Sequence, residues 1–148
     1  TMQNIDTLAL IISTIDNPNG DVIELYAPIL ACIIDENHSM DSLDSGDIVT
    51  AIQEIDKNWS NDFTLEFDGN EYRCIHKDSI WDIYVETIKE IVNDCYDLKL
   101  DKIPAFIALE IDWGQTANNA YVDGYGHTFS SYDGSEIEVS NHWVFRTN

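Results

Sequence analysis

The sequence predicts an α+β fold: a single compact domain of about five helices with two β-hairpins. Three observations carry that prediction. Apolar residues recur at helical spacing in several stretches, most regularly between 80 and 92. Two other stretches carry apolar and polar residues in alternation beside Asp-Gly pairs at 68–69 and 133–134, the pattern of paired strands. No low-complexity tract or long linker divides the 148 residues, and a 44% hydrophobic content is enough for one core.

The elements follow in chain order. Residues 4–16 fit a first helix, with Asn4 or Asp6 as cap and Leu8, Ile11, Ile12 and Ile15 on its buried face. Asn17-Pro18-Asn19-Gly20 ends it as a turn. Residues 21–36 read two ways, with Val22–Tyr26 as a strand or the whole stretch as a buried helix interrupted at Pro28, and a helix over Pro28–Asp35 is favoured. His38–Asp47 reads as a polar linker, and Gly46-Asp47 opens an amphipathic helix over Ile48–Asp56 with Ile48, Ala51, Ile52 and Ile55 inward. Phe63–Phe67 and Tyr72–Ile75 then form a hairpin around Asp68-Gly69-Asn70.

Asp78–Asp101 is the stretch around which the rest is organised. Its acids, Asp78, Asp82, Glu86, Glu90, Asp94, Asp97 and Asp101, are three or four residues apart, so one continuous helix would carry them all on one face. Ile80, Tyr84, Ile88, Ile91 and Cys95, with Ile83 and Val92 beside them, form the expected core-facing stripe. Like charges at i,i+4 oppose a helix by about 0.2–0.5 kcal/mol per pair, so five such pairs cost about 1–2.5 kcal/mol. Lys89 can relieve Glu86 and Lys77 can relieve Asp78, but too few cations remain for the row. A helix needing only solubility would interleave Lys with Glu, although a solvated face is the ordinary role of any charged helix side.

Beyond this row, Ile103-Pro104 starts a predicted helical run over Ala105–Ile111. Asp112 and Gln115 have capping-box spacing ahead of a helix over Trp113–Val122 that ends at Asp123-Gly124. The tail reads as a second hairpin, with strands Thr128–Tyr132 and Trp143–Arg146 and a turn near Asp133-Gly134. Helix and hairpin thus occur twice, a pseudo-repeat of 46–101 and 103–148 marked by Phe67-Asp68-Gly69 and Tyr132-Asp133-Gly134.

Charge is the anomaly in the composition. Twenty-eight acids against seven Lys or Arg give a net charge of −21, where solubility of a small domain needs a magnitude of only about 2–8. Halophilic origin fits poorly with a chain rich in Ile and Asn and with large core residues. Two causes of such an excess remain, divalent-ion binding and imitation of a polyanion. Cys32, Cys74 and Cys95 are odd in number and form no CxxC pair, which favours free thiols in a reducing compartment. The apolar run Leu8–Ile12 lies between Asp6 and Asp16 with no basic residue before it, so it reads as neither export signal nor membrane span. Host-cell cytoplasm is the expected location.

No hydrolase, P-loop, zincin or dinucleotide motif is present, and abundant carboxylates make any acid–base pair uninformative. Cys74, His76, Cys95 and His127 are zinc-ligand types at spacings that favour no site. Asp41, Asp44 and Gly46 begin a calcium-loop pattern that fails, with Leu43 and Ile52 at ligand positions. Trp59, Trp81, Trp113 and Trp143 read as packing residues rather than interface anchors. The residues therefore predict no catalytic group, no metal and no cofactor.

Polyanion imitation gains from the spread of acids: Glu54, Asp56 and Asp62 lead into the first hairpin, and Glu110, Asp112, Asp123, Asp133, Glu136 and Glu138 crowd the C-terminal third. A B-form strand carries one phosphate per roughly 3.4 Å, so a row spaced about 6 Å needs a second acidic element beside it, or a homodimer. The segment from Ile103 to Arg146 resembles the C-terminal part of the ArdA-type antirestriction proteins, with Pro104, Ile111, Asp112, Ala117, Asp123 and the Trp143–Phe145 strand at the matching places. That resemblance implies a phage- or plasmid-encoded inhibitor that mimics bent duplex DNA in the binding groove of a restriction enzyme. A type I restriction complex, a CRISPR effector or another DNA-binding defence protein would all be compatible targets.

The expected function is therefore inhibition of a host nucleic-acid-binding defence protein. Asp78, Asp82, Glu86, Glu90, Asp94, Asp97, Asp101, Glu110, Asp112 and Asp123 would meet its basic groove, with no nucleic acid or membrane bound directly. The alternatives are an acidic adaptor for a basic host protein unrelated to DNA, and a divalent-metal enzyme or sensor.

Overall fold

Residues 25–37 and 45–148 are described by the structure, a computed structural model. The predicted helix at 4–16, the turn at 17–20, residues 21–24 of the ambiguous stretch and positions 38–44 of the linker lie outside the described residues.

Leu25 and Tyr26, in the stretch that suited a strand, are π-helical, and helix α1 (Ala27–Asn37) continues from them with Pro28 as its second residue. Ala27, Ile29, Leu30, Ala31, Ile33 and Ile34 are all buried, as expected of a helix apolar on nearly every side. Helix α2 (Ser45–Asn58) is longer than predicted but buries the four predicted residues, Ile48, Ala51, Ile52 and Ile55.

Strands β1 (Asp62–Phe67) and β2 (Asn70–His76) pair antiparallel with Phe67 opposite Asn70. Asp68 and Gly69 both take positive φ (52° and 77°), the geometry of a two-residue hairpin turn. A second hairpin joins β3 (Ile137–Val139) and β4 (His142–Arg146). Its turn is Ser140-Asn141 (φ 50° and 60°), not the predicted Asp133-Gly134. The predicted strand at Thr128–Tyr132 is instead a short helix, α5 (Gly126–Phe129), and a turn. The cause is local: Asp133 Oδ1 accepts hydrogen bonds from Ser130 Oγ, Ser135 N and Ser135 Oγ at 2.8–3.0 Å, folding that segment on itself.

The four strands form one antiparallel sheet in the order β1-β2-β4-β3. Alternation along the strands splits the core in two. Phe63, Leu65, Phe67, Tyr72, Cys74 and Val144 face α1 and α2. Ile75 and Phe145 face the opposite way, where Ile80, Tyr84, Ile88, Ala117, Tyr125 and Phe129 complete a second cluster.

That second layer is built from helix α3 (Ile80–Cys95), helix α4 (Trp113–Ala120) and α5. Helix α3 is shorter than the predicted 78–101. It stops where Tyr96 turns extended (φ −123°, ψ 132°), and Ile91 and Cys95, predicted inward, are exposed because no element covers the last turns. The helix predicted over Ala105–Ile111 is absent: the segment is irregular, with one turn bond from Ile107 N to Pro104 O at 3.0 Å. Seven residues with no buried face gain too little to offset helix nucleation.

Asp112 caps α4 as its spacing predicts, its Oδ1 accepting from Gln115 N at 3.0 Å. The capping box is half made, since the Gln115 amide donates to Asn119 Oδ1 instead of reaching back. A 3₁₀ turn at Tyr121–Asp123 and Gly124 (φ 78°) end the unit.

Candidate functional site

Three residues one helical turn apart, Ile80, Tyr84 and Ile88, anchor α3 and fix which side faces out. Tyr84 is the pivot. Its ring meets Tyr121 at 5.8 Å, Tyr125 at 5.5 Å and Phe129 at 6.0 Å between centroids. Burial pushes the Tyr84 phenol up, offset in part by a hydrogen bond with Thr128. Held this way, α3 presents Asp82, Glu86, Glu90 and Asp94 to solvent.

These four form the continuous part of the acidic row. Steps of four residues advance about 6 Å and wind about 40° around the helix, so the stripe spans about 18 Å and about 120°. Among the described residues, no ion pair engages any of the four. Lys89, expected to relieve Glu86, instead points its Nζ over the Trp113 ring, 5.9 Å from the centroid. The last turn holds no basic residue, so Asp94 also stands against the negative end of the helix dipole.

The other predicted site residues are exposed but do not continue the helical row. Asp78 precedes the helix; its backbone N–H donates to His76 Nδ1 at 3.1 Å, and its carboxylate lies 3.7 Å from the same nitrogen. Asp97 lies beyond the helix end, where its carboxylate accepts from Lys99 N at 3.0 Å. Asp101 sits in a 3₁₀ turn (Leu100–Lys102), and Glu110 lies on the irregular segment. The common face expected for all seven acids from Asp78 to Asp101 therefore reduces to four, because the helix covers only part of the stretch.

Asp112 and Asp123 bracket α4, which packs beside α3. Trp113 meets Lys89, while Tyr121 meets Trp81 and Tyr84, so the two helices run antiparallel. Helix α4 itself has no acid, and thus supplies charge only at its two ends. A separate set, Asp47, Glu54, Glu66 and Asp68, lines a shallow cleft between α2 and the β1–β2 turn. Asp47 and Glu54 of α2 and Glu66 and Asp68 of the first hairpin thus form a second acidic region, of which the sequence places Glu54 beside that hairpin.

Cys74 is fully buried and its thiol is pushed up to about 12, chiefly by desolvation. Cys95 is exposed at the end of α3, so the hypothetical zinc ligands are not brought together. Among the described residues, no group of three or more His, Cys, Asp or Glu is arranged to hold a metal ion. Trp59, Trp81 and Trp143 are half-buried and pack against the two core clusters, as expected of packing residues. No helix among the described residues is long and apolar enough to cross a membrane.

Sequence reasoning missed one surface. Ile91, Tyr96, Leu98, Leu100, Ile107 and Leu109 are exposed together with Phe106, which is 89% exposed. The signal for it was the dense apolar content of 96–109 in a segment without a regular helical or strand period. In comparisons with known protein families, curated proteins and solved structures, the chain has no match.

Proposed function

We propose that this protein inhibits a host DNA-binding defence protein, a restriction or CRISPR effector, by presenting carboxylates where that protein expects phosphates. The single observation that carries the reading is the stripe Asp82, Glu86, Glu90 and Asp94: fixed by a buried helix face, open to solvent and without cationic partners among the described residues. Folding gains nothing from such a row, which costs about 0.2–0.5 kcal/mol for each of its three i,i+4 pairs. A basic groove would turn that cost into attraction. Asp112 and Asp123, exposed at the two ends of the neighbouring helix, add one carboxylate at each end of that helix to the four of the stripe. The resemblance of Ile103–Arg146 to antirestriction proteins points the same way, although the short helix it implies after Pro104 is not formed.

Competition tests this directly. Fluorescent duplex DNA held by each of a panel of restriction and CRISPR effectors should be released by the protein, and release should weaken steeply with salt, since charges separated by more than about 8–10 Å are screened at physiological ionic strength. Failure to release DNA from every member at low salt counts against mimicry. A specific observation favours a second reading, the acidic adaptor: the exposed apolar residues at 91–109 have no counterpart on the phosphate face of a duplex.

A further inference from the structure

We infer that the apolar ledge at the end of α3 is a docking surface for a cationic amphipathic segment of a partner protein. Two adjoining depressions form it. One is walled by the 93–101 stretch and the other by Leu100, Ile103, Pro104, Ala105, Ile107 and Leu109, so Leu100 belongs to both. Tyr96, Leu98 and Leu100 are 43–64% exposed, and Ile91, on the last turns of α3, is exposed as well. Single exposed apolar residues are ordinary, whereas Tyr96, Leu98, Leu100, Ile107 and Leu109 gathered at two depressions that share Leu100 suit an interaction site.

Charge selects the occupant. Residues 90–112 contain six acids, Glu90, Asp94, Asp97, Asp101, Glu110 and Asp112, against two cations, Lys99 and Lys102. An occupant must bring apolar side chains to the ledge and positive charge to its rim. A second copy brings a net charge of −21 to the same place. The apolar stretch within residues 1–24 belongs to a segment with acids at Asp6, Asp16, Asp21 and Glu24 and no Lys or Arg. Like-charge contact disfavours both. A helix with Leu or Ile on one face and Lys or Arg on the other satisfies both demands, the groove-binding mode in which an amphipathic helix lays its apolar face onto the receptor. Such a partner need never bind DNA, so the ledge would serve under either reading above.

The test uses the full chain and a synthetic helical peptide of Leu and Lys at amphipathic spacing, with a scrambled peptide of identical composition. Binding is followed by titration calorimetry, and the site by amide chemical shifts. The amphipathic peptide should bind at least about tenfold more tightly than the scrambled one and perturb residues 91–109. The exposed triple variant L98S/L100S/I107S should lose about tenfold or more, while D82K/E86K, which leaves the ledge intact, should lose less. Thermal melts establish that both variants fold. Equal affinity for the two peptides, or unchanged affinity of the triple variant, overturns the inference. So does a concentration-dependent dimer abolished by the triple variant, or peptide binding that appears only after residues 1–24 are deleted.

Discussion

Lys89 lies with its ammonium 5.9 Å from the centre of the Trp113 ring and does not pair with Glu86, one turn away on the same helix. The contact joins α3 to α4 and leaves the acidic stripe unneutralised. Lys89→Gln should lower stability by about 0.5–1 kcal/mol, the worth of an exposed cation–π contact. It should not weaken partner binding, because net charge moves from −21 to −22. Urea melts and the DNA-release assay check the two halves; weakened release would mean that Lys89 itself contacts the partner.

Asp94 is opposed twice, by Glu90 one turn back and by the negative end of α3. Asp94→Lys turns both interactions favourable and should raise stability by about 0.5–1.5 kcal/mol. For a domain of this size that is a rise in Tm of a few degrees, measurable by calorimetry. An unchanged or lower Tm would show that Asp94 has a stabilising contact of its own.

Gly126 is buried at the start of α5, where an added Cβ would overlap the Gly134 carbonyl. The approach is held by Glu136, whose Oε2 accepts from Tyr125 N at 3.0 Å and Gly126 N at 3.2 Å. Gly126→Ala should cost about 2–3 kcal/mol through overpacking against backbone that has no room to yield. Gly69→Ala tests a different effect: nothing lies within 4 Å of the added Cβ, so only the positive φ opposes it, at about 1 kcal/mol. Denaturant midpoints should rank the two variants in that order.

Alkaline stability should reflect Cys74. Its folded-state pKa is raised from the ordinary 9.0 to about 12, so the folded protein favours the neutral thiol. That contribution is fully present below pH 9 and is lost as pH rises toward 12. Burial raises the Tyr84 and Tyr125 phenols above their ordinary 10.0, which adds loss in the same direction. Cys74→Ala should flatten the decline above pH 9 relative to the parent in pH-dependent urea melts. In native protein, a thiol reagent should modify exposed Cys95 readily and leave Cys74 unmodified.

What the sequence revealed depended on whether local pattern and tertiary packing agreed. The first hairpin was legible because alternation, Asp68-Gly69 and returning β-formers all favour one register. Helix α2 was legible because its four inward residues keep helical spacing and all find the sheet. The second hairpin was misplaced because Asp133-Gly134 has turn chemistry yet serves a side-chain-bonded loop, while Ser140-Asn141 takes the left-handed turn without glycine. The ends of the acidic row were misjudged for a related reason. Helical spacing persists past Cys95, but nothing packs there to hold a helix, so Asp97 and Asp101 leave the face that charge spacing alone assigned to them. The packing of α3 against the α4–α5 unit was not legible, since it depends on ring contacts between Tyr84 and residues 37 or more positions away.

The most direct measurement compares two variants of equal net charge in the DNA-release assay. Reversing Asp82, Glu86 and Glu90 to Lys takes the charge from −21 to −15, and reversing Asp47, Glu54 and Glu66 makes the same change in the distant cleft. If the α3 stripe stands in for phosphates, the first variant melts no lower than the parent and fails to release DNA from the partner, while the second still releases it. Equal release by the α3 variant and the parent would contradict this, leaving the stripe a solvated helix face.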